Sequence, residues 1–361
     1  MKAMVLAAGL GERMQPLTRG TPKPALPVLG KPMLSQILAG LARAGILEVG
    51  VNVHHLPDRI AELVGDGRDL GLERVFLSPE RELLGTGGGL RRAAPFLRGA
   101  GPIVVRNADF LADLDFGALV ASHRTHGLPV TLALAPARPG YTPVIVDRAG
   151  RVAAFGEADV DAPARIAGRY LFTGAHVIDE AVLDLLPDGR SDLVPVLYRR
   201  LAAEGRVAAH LVEGFWWEFG TPRSFLDGTL ALVVLDDARR RTLAGADPVF
   251  TLGSGRVAIG DGAEIAPGVA FRGPCAVGAR ARVGRSAVLE EVVVLPGADL
   301  GEGVILRRCL IGPGASVPAG AQYRNAALAP DDGGTATPAS PRIERRDGLL
   351  VRSLDDGGAG G

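Results

Sequence analysis

Residues 8–24 read Ala8-Gly-Leu-Gly-Glu-Arg-Met-Gln-Pro-Leu-Thr-Arg-Gly-Thr-Pro-Lys-Pro24 and follow a short apolar run, Ala3–Ala8. A glycine-rich loop leaving a strand lets backbone N–H groups approach phosphate oxygens. Here Gly9 and Gly11 are followed by two cations, Arg13 and Lys23. Two familiar phosphate-binding patterns are excluded at once. A dinucleotide fingerprint needs a third glycine where Met14 stands, and a Walker loop needs Gly-Lys-Ser/Thr, which does not occur. What remains is an anion-binding loop flanked by an arginine and a lysine. The lysine is conspicuous, because only Lys2, Lys23 and Lys31 are lysines among the 40 basic residues. The arginine bias itself carries no mechanistic meaning.

The rest of the polar inventory excludes more than it suggests. His54, His55, His123, His126, His176 and His210 show no ligand-like spacing and read as surface or core residues. Two cysteines, Cys275 and Cys309, form neither a CxxC pattern nor a disulfide framework, and fit a reducing cytoplasm. Forty acidic residues balance the 40 basic ones. The basic excess expected of a nucleic-acid binder is therefore missing, whereas a small polyanion needs only a local cluster. The apolar start, Met1–Leu10, runs into a charged loop rather than a small-residue cleavage site, so no secretory leader is expected. The longest later apolar run, Leu230–Leu235, falls far short of the ~20 residues that span a bilayer, so no membrane partner is expected.

These residues need a frame, and 361 residues are enough for about two domains. Candidate strands at Ala3–Ala8, Glu48–Val53, Arg74–Ser78, Pro102–Arg106 and Val130–Ala135 alternate with helical patterns at Pro32–Ala44, Pro57–Val64, Gly88–Phe96 and Phe116–Thr125. Apolar strands alternating with helices predict a Rossmann-like, mostly parallel α/β sheet. Later strands near Val144–Val146, Arg169–Phe172 and Arg206–Val212 have more irregular connections, and a helix from Pro222 to Arg241 leads out of a first domain covering residues 1–240.

From residue 251 to 325 the pattern changes to a period of six: Ile259, Ile265, Phe271, Val277, Val283, Leu289 and Leu295, resuming after a four-residue slip at Ile305, Ile311 and Val317. Small residues recur four positions later at Ala263, Cys275, Ala281, Ala287, Cys309 and Ala315, with Val269 and Val293 departing. A period of six predicts hexapeptide repeats wound into a short parallel β-helix, with the aliphatic anchor pointing inward. About ten hexads make roughly three turns, a stack short enough to need a partner at its ends. Residues 330–361 are rich in Gly, Ala, Pro and Asp and read as a disordered tail, Leu349–Val351 being the apolar patch able to dock.

Leu6-Ala-Ala-Gly-Leu-Gly-Glu-Arg13, Pro16-Leu-Thr18 and Pro22-Lys-Pro24 together resemble the signature of the sugar-1-phosphate nucleotidyltransferases. The resemblance continues through Gly30-Lys-Pro-Met33, Gly85-Thr-Gly-Gly-Gly-Leu90, Asn107-Ala-Asp109 and Trp217-Glu-Phe-Gly-Thr-Pro222, essentially the whole first domain. Members resembling mannose-1-phosphate guanylyltransferases also carry a C-terminal left-handed β-helix. The stretch from Ser78-Pro-Glu80 to Leu90 is more similar to N-acetylmuramate-1-phosphate uridylyltransferases and heptose-1-phosphate guanylyltransferases, the first of which usually lack that β-helix. A guanylyltransferase is favoured, and a uridylyl- or thymidylyltransferase is the alternative.

The reaction implied joins a nucleoside triphosphate and a sugar 1-phosphate into NDP-sugar and pyrophosphate with Mg²⁺. A sugar 1-phosphate is already largely a dianion at neutral pH, so charge neutralisation and positioning, rather than a general base, are what it requires. The resemblance assigns Arg13 to the β- and γ-phosphates, Lys23 to the α-phosphate region, and Asp109 with Glu218 to Mg²⁺. It gives Leu6, Ala8, Gly9, Gly11, Glu80, Gly87 and Gly88 to the nucleotide, and Asn107, Glu157, Thr173 and Gly174 to the sugar phosphate. Trp216 and Trp217 are packing residues that orient Glu218. The sequence departs from the family at Ala108, where glycine is usual, at Ala158, where a phosphate-binding lysine is usual, and at Glu218, where aspartate is usual. Those departures leave a second reading open, a regulatory paralogue that binds NDP-sugar. Acyl transfer by the β-helix finds no support, since residues 251–325 contain no histidine. The β-helix reads instead as an assembly or regulatory module able to support a homo-oligomer.

Overall fold

The structure, a computed structural model, describes residues 1–156, 166–244, 248–333 and 343–355. Among the described residues the chain divides into two compact units, one built from Met1–Leu10 with Ile37–Trp216, the other from Gly11–Gln36 with the chain after Trp216. The division differs from the expected boundary near residue 240. The segment 11–36 and the helix Pro222–Val234 share a unit with the β-helix, and the reason is visible in their contacts. Arg308 bonds Asp227 of that helix at 2.6 Å, Arg256 donates to the carbonyls of Val234 and Leu235, and Arg19 pairs with Asp332 at 3.1 Å.

Among the described residues, the first unit is organised around a nine-stranded sheet. Lys2–Leu6 lies between Glu48–Val53 and Ile103–Asn107, with Arg74–Pro79 outside Glu48–Val53, and all four strands are parallel. Their central residues, such as Met4, Val51 and Val105, are fully buried, as strands covered on both faces must be. The other half adds antiparallel pairs to this Rossmann-like sheet, with Val207–Leu211 still parallel to Val130–Pro136. Val130–Pro136, Pro143–Asp147 and Val152–Phe155 follow one another too closely for helical crossovers, and parallel pairing needs a dozen or more connecting residues. The long strand Ile166–Ile178 joins the halves. Residues 166–171 pair with Pro143–Asp147, and residues 175–178 pair with Ile103–Asn107. Its register against Val130–Pro136 shifts between Phe172 and His176, where Gly174 takes a positive φ of 89°. That irregularity puts Thr173 and Gly174 at the place where the strand changes partners.

In the second unit, parallel strands stack as a β-helix. Val257 aligns with Cys275, 18 residues on, as three hexads require. The next coils are one residue shorter: Ala276 aligns with Val293, and Val293 with Leu310, 17 residues on. The inward residues after Leu289 are accordingly Val294, Leu300 and Leu306, replacing the expected Leu295 and Ile305. The missing residue comes from one corner, where Gly273, Glu291, Arg308 and Asn325 stack with positive φ. Cys275 and Cys309 are buried free thiols within this core, and burial pushes both up to about 11.

Both edges of the stack carry an antiparallel cover, which answers the open-end problem. Val249–Leu252 folds against Gly255–Ile259, and at the other edge Leu349–Ser353 pairs with both Gln322–Pro330 and Ile343–Arg346. Residues 343–355 are therefore ordered, contrary to the expected tail. Leu349, Leu350 and Leu354 are buried, and the Leu349–Val351 patch expected to dock supplies the apolar anchor of this segment. The helix expected over Pro222–Arg241 is two helices, Pro222–Val234 and Asp237–Ala244. Asp236 accepts from the Arg239 N–H at 2.9 Å and restarts the second.

Candidate active site

The first unit holds the residues around the ends of its central strands. Leu6 closes the first strand, and its carbonyl accepts from the Ala108 N–H, tying the glycine loop to the Asn107–Asp109 turn. The Ala7 N–H donates to Asn52 Oδ1 at 2.7 Å, and Asn52 Nδ2 donates to Glu80 Oε1 at 2.8 Å. The other Glu80 oxygen accepts from the Leu84 N–H at 2.9 Å. Glu80, expected to touch the nucleobase, is thus buried, with both carboxylate oxygens engaged in holding the chain. Asn52 was not anticipated. Its only sequence signal is a lone amide in the apolar run Val49-Gly-Val-Asn-Val53.

The glycines of the helix Gly85–Arg92 make room for protein rather than leaving an open surface. A Cβ at Gly87 would fall 2.7 Å from Ser191 Oγ, one at Gly88 would strike the Gly189 carbonyl, and one at Gly89 would fall 2.7 Å from Glu80 Oε1. The Gly87 and Gly88 N–H groups donate to the Ser191 carbonyl at 2.8 and 3.2 Å. The close approach that Gly87 and Gly88 permit within the protein is to residues 189–191.

Asp109 follows the strand Ile103–Asn107 and is partly exposed. Ala108, where glycine was expected, takes a negative φ and is buried, so an alanine fits without strain. Beneath the turn lies Arg106, 4% exposed. Its Nη2 donates to the Phe110 carbonyl at 2.7 Å and its Nε to the Asn107 carbonyl at 3.3 Å, and the guanidinium stacks 4.4 Å from the Phe110 ring. Burial pushes Arg106 down to about 9 while the charge of Asp109 raises it, so it is cationic at neutral pH. Arg106 grips the two carbonyls that flank Asp109, a role its sequence context concealed.

Asn107 and Gly174 are brought together: a Cβ on Gly174 would sit 3.0 Å from Asn107 Nδ2, so only glycine lets the bulge approach. Thr173 is not available as a sugar contact. It is buried, its hydroxyl donates to the Ala133 carbonyl at 2.8 Å, and its carbonyl accepts from the Trp216 indole at 3.0 Å. Glu157 lies outside the described residues.

The second unit holds the cations. Gly11 has φ 68°, and a Cβ there would meet Thr18 Cγ2 at 3.2 Å and Lys23 Cβ at 3.4 Å. The absence of a side chain lets the loop close on Thr18, whose hydroxyl donates to the Gly11 carbonyl at 2.8 Å, and brings Lys23 beside it. Arg13 lies on the short turn Glu12–Met14 with its side chain 61% exposed, and Nη2 reaches Glu218 Oε1 at 3.4 Å. A Cβ on Gly220 would collide with that Glu218 oxygen, which explains the glycine after Phe219. Trp217 is fixed by its indole N–H on the Ser224 carbonyl at 2.8 Å, and the helix beyond starts with a Thr221–Ser224 capping box. The two tryptophans that precede Glu218 are therefore both anchored through their indole N–H groups.

Among the described residues, no group of three or more His, Cys, Asp or Glu side chains is placed to hold a metal. Asp109 in the first unit and Glu218 in the second are each partly exposed, and a carboxylate of that kind is the type of oxygen ligand that Mg²⁺ takes alongside phosphates and water.

Comparison with known proteins settles the chemistry class. Residues 2–233 match the nucleotidyl transferase family model. The chain belongs to the nucleotidyl transferase family. This nucleotidyl transferase is similar to the mannose-1-phosphate guanylyltransferase of Mycobacterium tuberculosis, with 33% identity over 302 residues, 82% of this chain and 80% of the relative. It is 31% identical to mannose-1-phosphate guanyltransferase beta-A of Xenopus laevis over 63% of each chain. Among solved structures, a Bacillus anthracis protein assigned as a glucose-1-phosphate thymidylyltransferase aligns with a TM-score of 0.55 and 22% identity, over 65% of this chain and 96% of that one. That likeness shows the transferase fold. Among the described residues, no helix is long and apolar enough to cross a membrane.

Proposed function

We propose that this nucleotidyl transferase makes GDP-mannose and pyrophosphate from GTP and mannose 1-phosphate. The observation that carries the sugar and base is the reach of the likeness. An alignment covering 82% of the chain cannot be contained in residues 1–240, so it runs into the β-helix unit that the uridylyltransferase alternative usually lacks.

A phosphate oxygen of mannose 1-phosphate attacks the α-phosphorus of GTP. A new P–O bond forms as the bond to the β-phosphate oxygen breaks, and pyrophosphate leaves with the electron pair. The attacking oxygen is already anionic, so no proton has to be removed. Arg13 binds the β- and γ-phosphates and stabilises charge on the departing pyrophosphate, its exposed guanidinium exchanging the 3.4 Å contact with Glu218 for phosphate. An exposed pair of this kind is worth no more than about 1 kcal/mol, so the exchange costs little. Lys23 sets a point charge near the α-phosphate, and the N–H groups of Gly9 and Gly11 face phosphate oxygens. Asp109 and Glu218 would hold Mg²⁺, which when bound neutralises phosphate charge and orients the triphosphate. Asn107 and Gly174 contact the sugar phosphate. A cytoplasmic setting fits the free thiols Cys275 and Cys309, and the β-helix supports assembly into a homo-oligomer.

The test is pyrophosphate release by purified protein across GTP, UTP, dTTP and ATP, each with mannose, glucose and N-acetylmuramate 1-phosphates and Mg²⁺. The GTP–mannose pair is expected to exceed every other by at least about 10-fold, the scale of one good discriminating contact. Preference for another pair replaces the substrate assignment. Saturable GDP-mannose binding without turnover supports the regulatory paralogue instead.

A further inference from the structure

The turn that carries Arg13 is only three residues long. Its internal ties are the Met14 N–H on the Gly11 carbonyl at 2.9 Å and the Gln15 N–H on the Glu12 carbonyl at 3.1 Å. A single 3-10 turn is a weak element by itself, and the Arg13 side chain extends from it largely into solvent. Some other part of the molecule has to fix the direction in which that guanidinium points.

Arg352 is placed to do so. It lies on Leu349–Ser353, the strand that closes the β-helix, and its Nη1 donates to the carbonyls of Arg13 at 2.9 Å and Gln15 at 2.8 Å. One charged, planar donor thus bridges the two carbonyls on either side of Met14. The strand is itself well held: Gln322–Pro330 and Ile343–Arg346 pair with its two edges, and Leu349 and Leu350 are buried. A second tie between the same parts of the chain, Arg19 to Asp332 at 3.1 Å, restrains the loop further along.

We propose that Arg352 is a positioning residue for nucleotidyl transfer, fixing the backbone from which Arg13 meets the triphosphate, so that the closing hairpin of the β-helix is a scaffold for the phosphate-binding loop. The proposal rests on the reading that Arg13 binds the β- and γ-phosphates. Arg352 touches no substrate; it acts through Arg13.

The experiment measures pyrophosphate release by the full chain, its Arg13→Ala, Arg352→Ala and Arg352→Lys variants, and the Arg13→Ala/Arg352→Ala double variant. GTP and mannose 1-phosphate are varied separately, and Tm is recorded for each. Arg352→Ala is expected to lower kcat/KM for GTP about 10-fold, as small misplacements of a catalytic group do, with KM for the sugar 1-phosphate unchanged. Arg352→Lys, which keeps a charged donor, is expected to recover most of the loss. In the Arg13→Ala background, removing Arg352 is expected to cost less than about 2-fold, because the residue acts through the one already gone. Full kcat/KM in Arg352→Ala overturns the proposal, as do multiplicative losses in the double variant or a fall in kcat that tracks the folded fraction with both KM values unchanged. Should Arg352→Ala fail to fold, Arg352→Gln, whose amide reaches one carbonyl, replaces it under the same criteria. A wild-type protein that turns over no substrate pair defeats the functional reading itself, a result distinct from these.

Discussion

Replacing Arg106 by methionine removes the group that holds the Asp109 turn from below, and its cost follows from the contacts. Two hydrogen bonds from a charged donor disappear, to the Phe110 carbonyl at 2.7 Å and the Asn107 carbonyl at 3.3 Å. Such bonds contribute about 1.5–3 kcal/mol each. The guanidinium also loses its place over the Phe110 ring. Against this, methionine ends the burial of a charge unfavourable enough to bring Arg106 down to about 9, which returns part of the loss. The balance is a destabilisation of about 2–4 kcal/mol, near the range for breaking a buried charged contact. Urea unfolding at neutral pH measures it, provided the m-value is unchanged. The same variant is expected to need about 10-fold more Mg²⁺ for half-maximal turnover, because groups that orient a metal ligand from behind carry effects of that size. Stability within about 0.5 kcal/mol of wild type, together with an unaltered Mg²⁺ titration, would refute this role for Arg106; that threshold lies inside the scatter of surface substitutions.

Three further substitutions bear on the site and the core. Asp109→Asn is expected to lower turnover by about 100-fold or more with GTP binding largely kept, the scale of a lost metal-centred charge; near-normal kcat removes Asp109 from the metal. Glu218→Gln separates two roles for one carboxylate: a raised Mg²⁺ requirement marks a ligand, whereas a raised KM for GTP at unchanged Mg²⁺ dependence marks a partner of Arg13 only. His176 is buried between Phe172 and Tyr198 without a hydrogen-bond partner for either ring nitrogen, and desolvation holds it down to about 3. Its folded pKa lies below the unfolded value of about 6.5, so as pH falls the unfolded chain takes up the proton first and stability is lost from about pH 6.5 toward 3. The loss reaches about 2 kcal/mol at pH 5. His176→Phe is expected to flatten that part of the stability profile between pH 7.5 and 5; an unchanged slope shows that the acid sensitivity originates elsewhere.

The cations of the proposed phosphate loop stand out in the sequence because their types and spacing are themselves the chemistry. A glycine pair, an arginine and a rare lysine point to an anion site before any fold is known. Asn52 and Arg106 were not legible, since their meaning lies in burial. Each is one polar residue closing an apolar strand, and only the surrounding sheet turns it into a grip on Ala7 or on the carbonyls beside Asp109. Glu80 and Thr173 show the converse. Their sequence positions suggested ligand contacts, and long-range partners at Asn52, Leu84 and Ala133 claim their polar atoms instead. In the β-helix the hexad period was plain up to Leu289. It then blurred because Val292-Val-Val-Leu295 offers apolar residues in four successive phases, which hid the coil of 17. Of the closing hairpin only the Leu349–Val351 patch was legible, because Ile343–Arg346 is mostly charged and gains its place by pairing with Leu349–Ser353.

Incubating the purified chain with GTP, mannose 1-phosphate and Mg²⁺, and following GDP-mannose and pyrophosphate together, tests whether this nucleotidyl transferase makes GDP-mannose. Equimolar formation of both products, abolished by chelating the metal and greatly reduced in Arg13→Ala, is the expected result. Binding of GTP without either product, or pyrophosphate released without a sugar nucleotide, contradicts it.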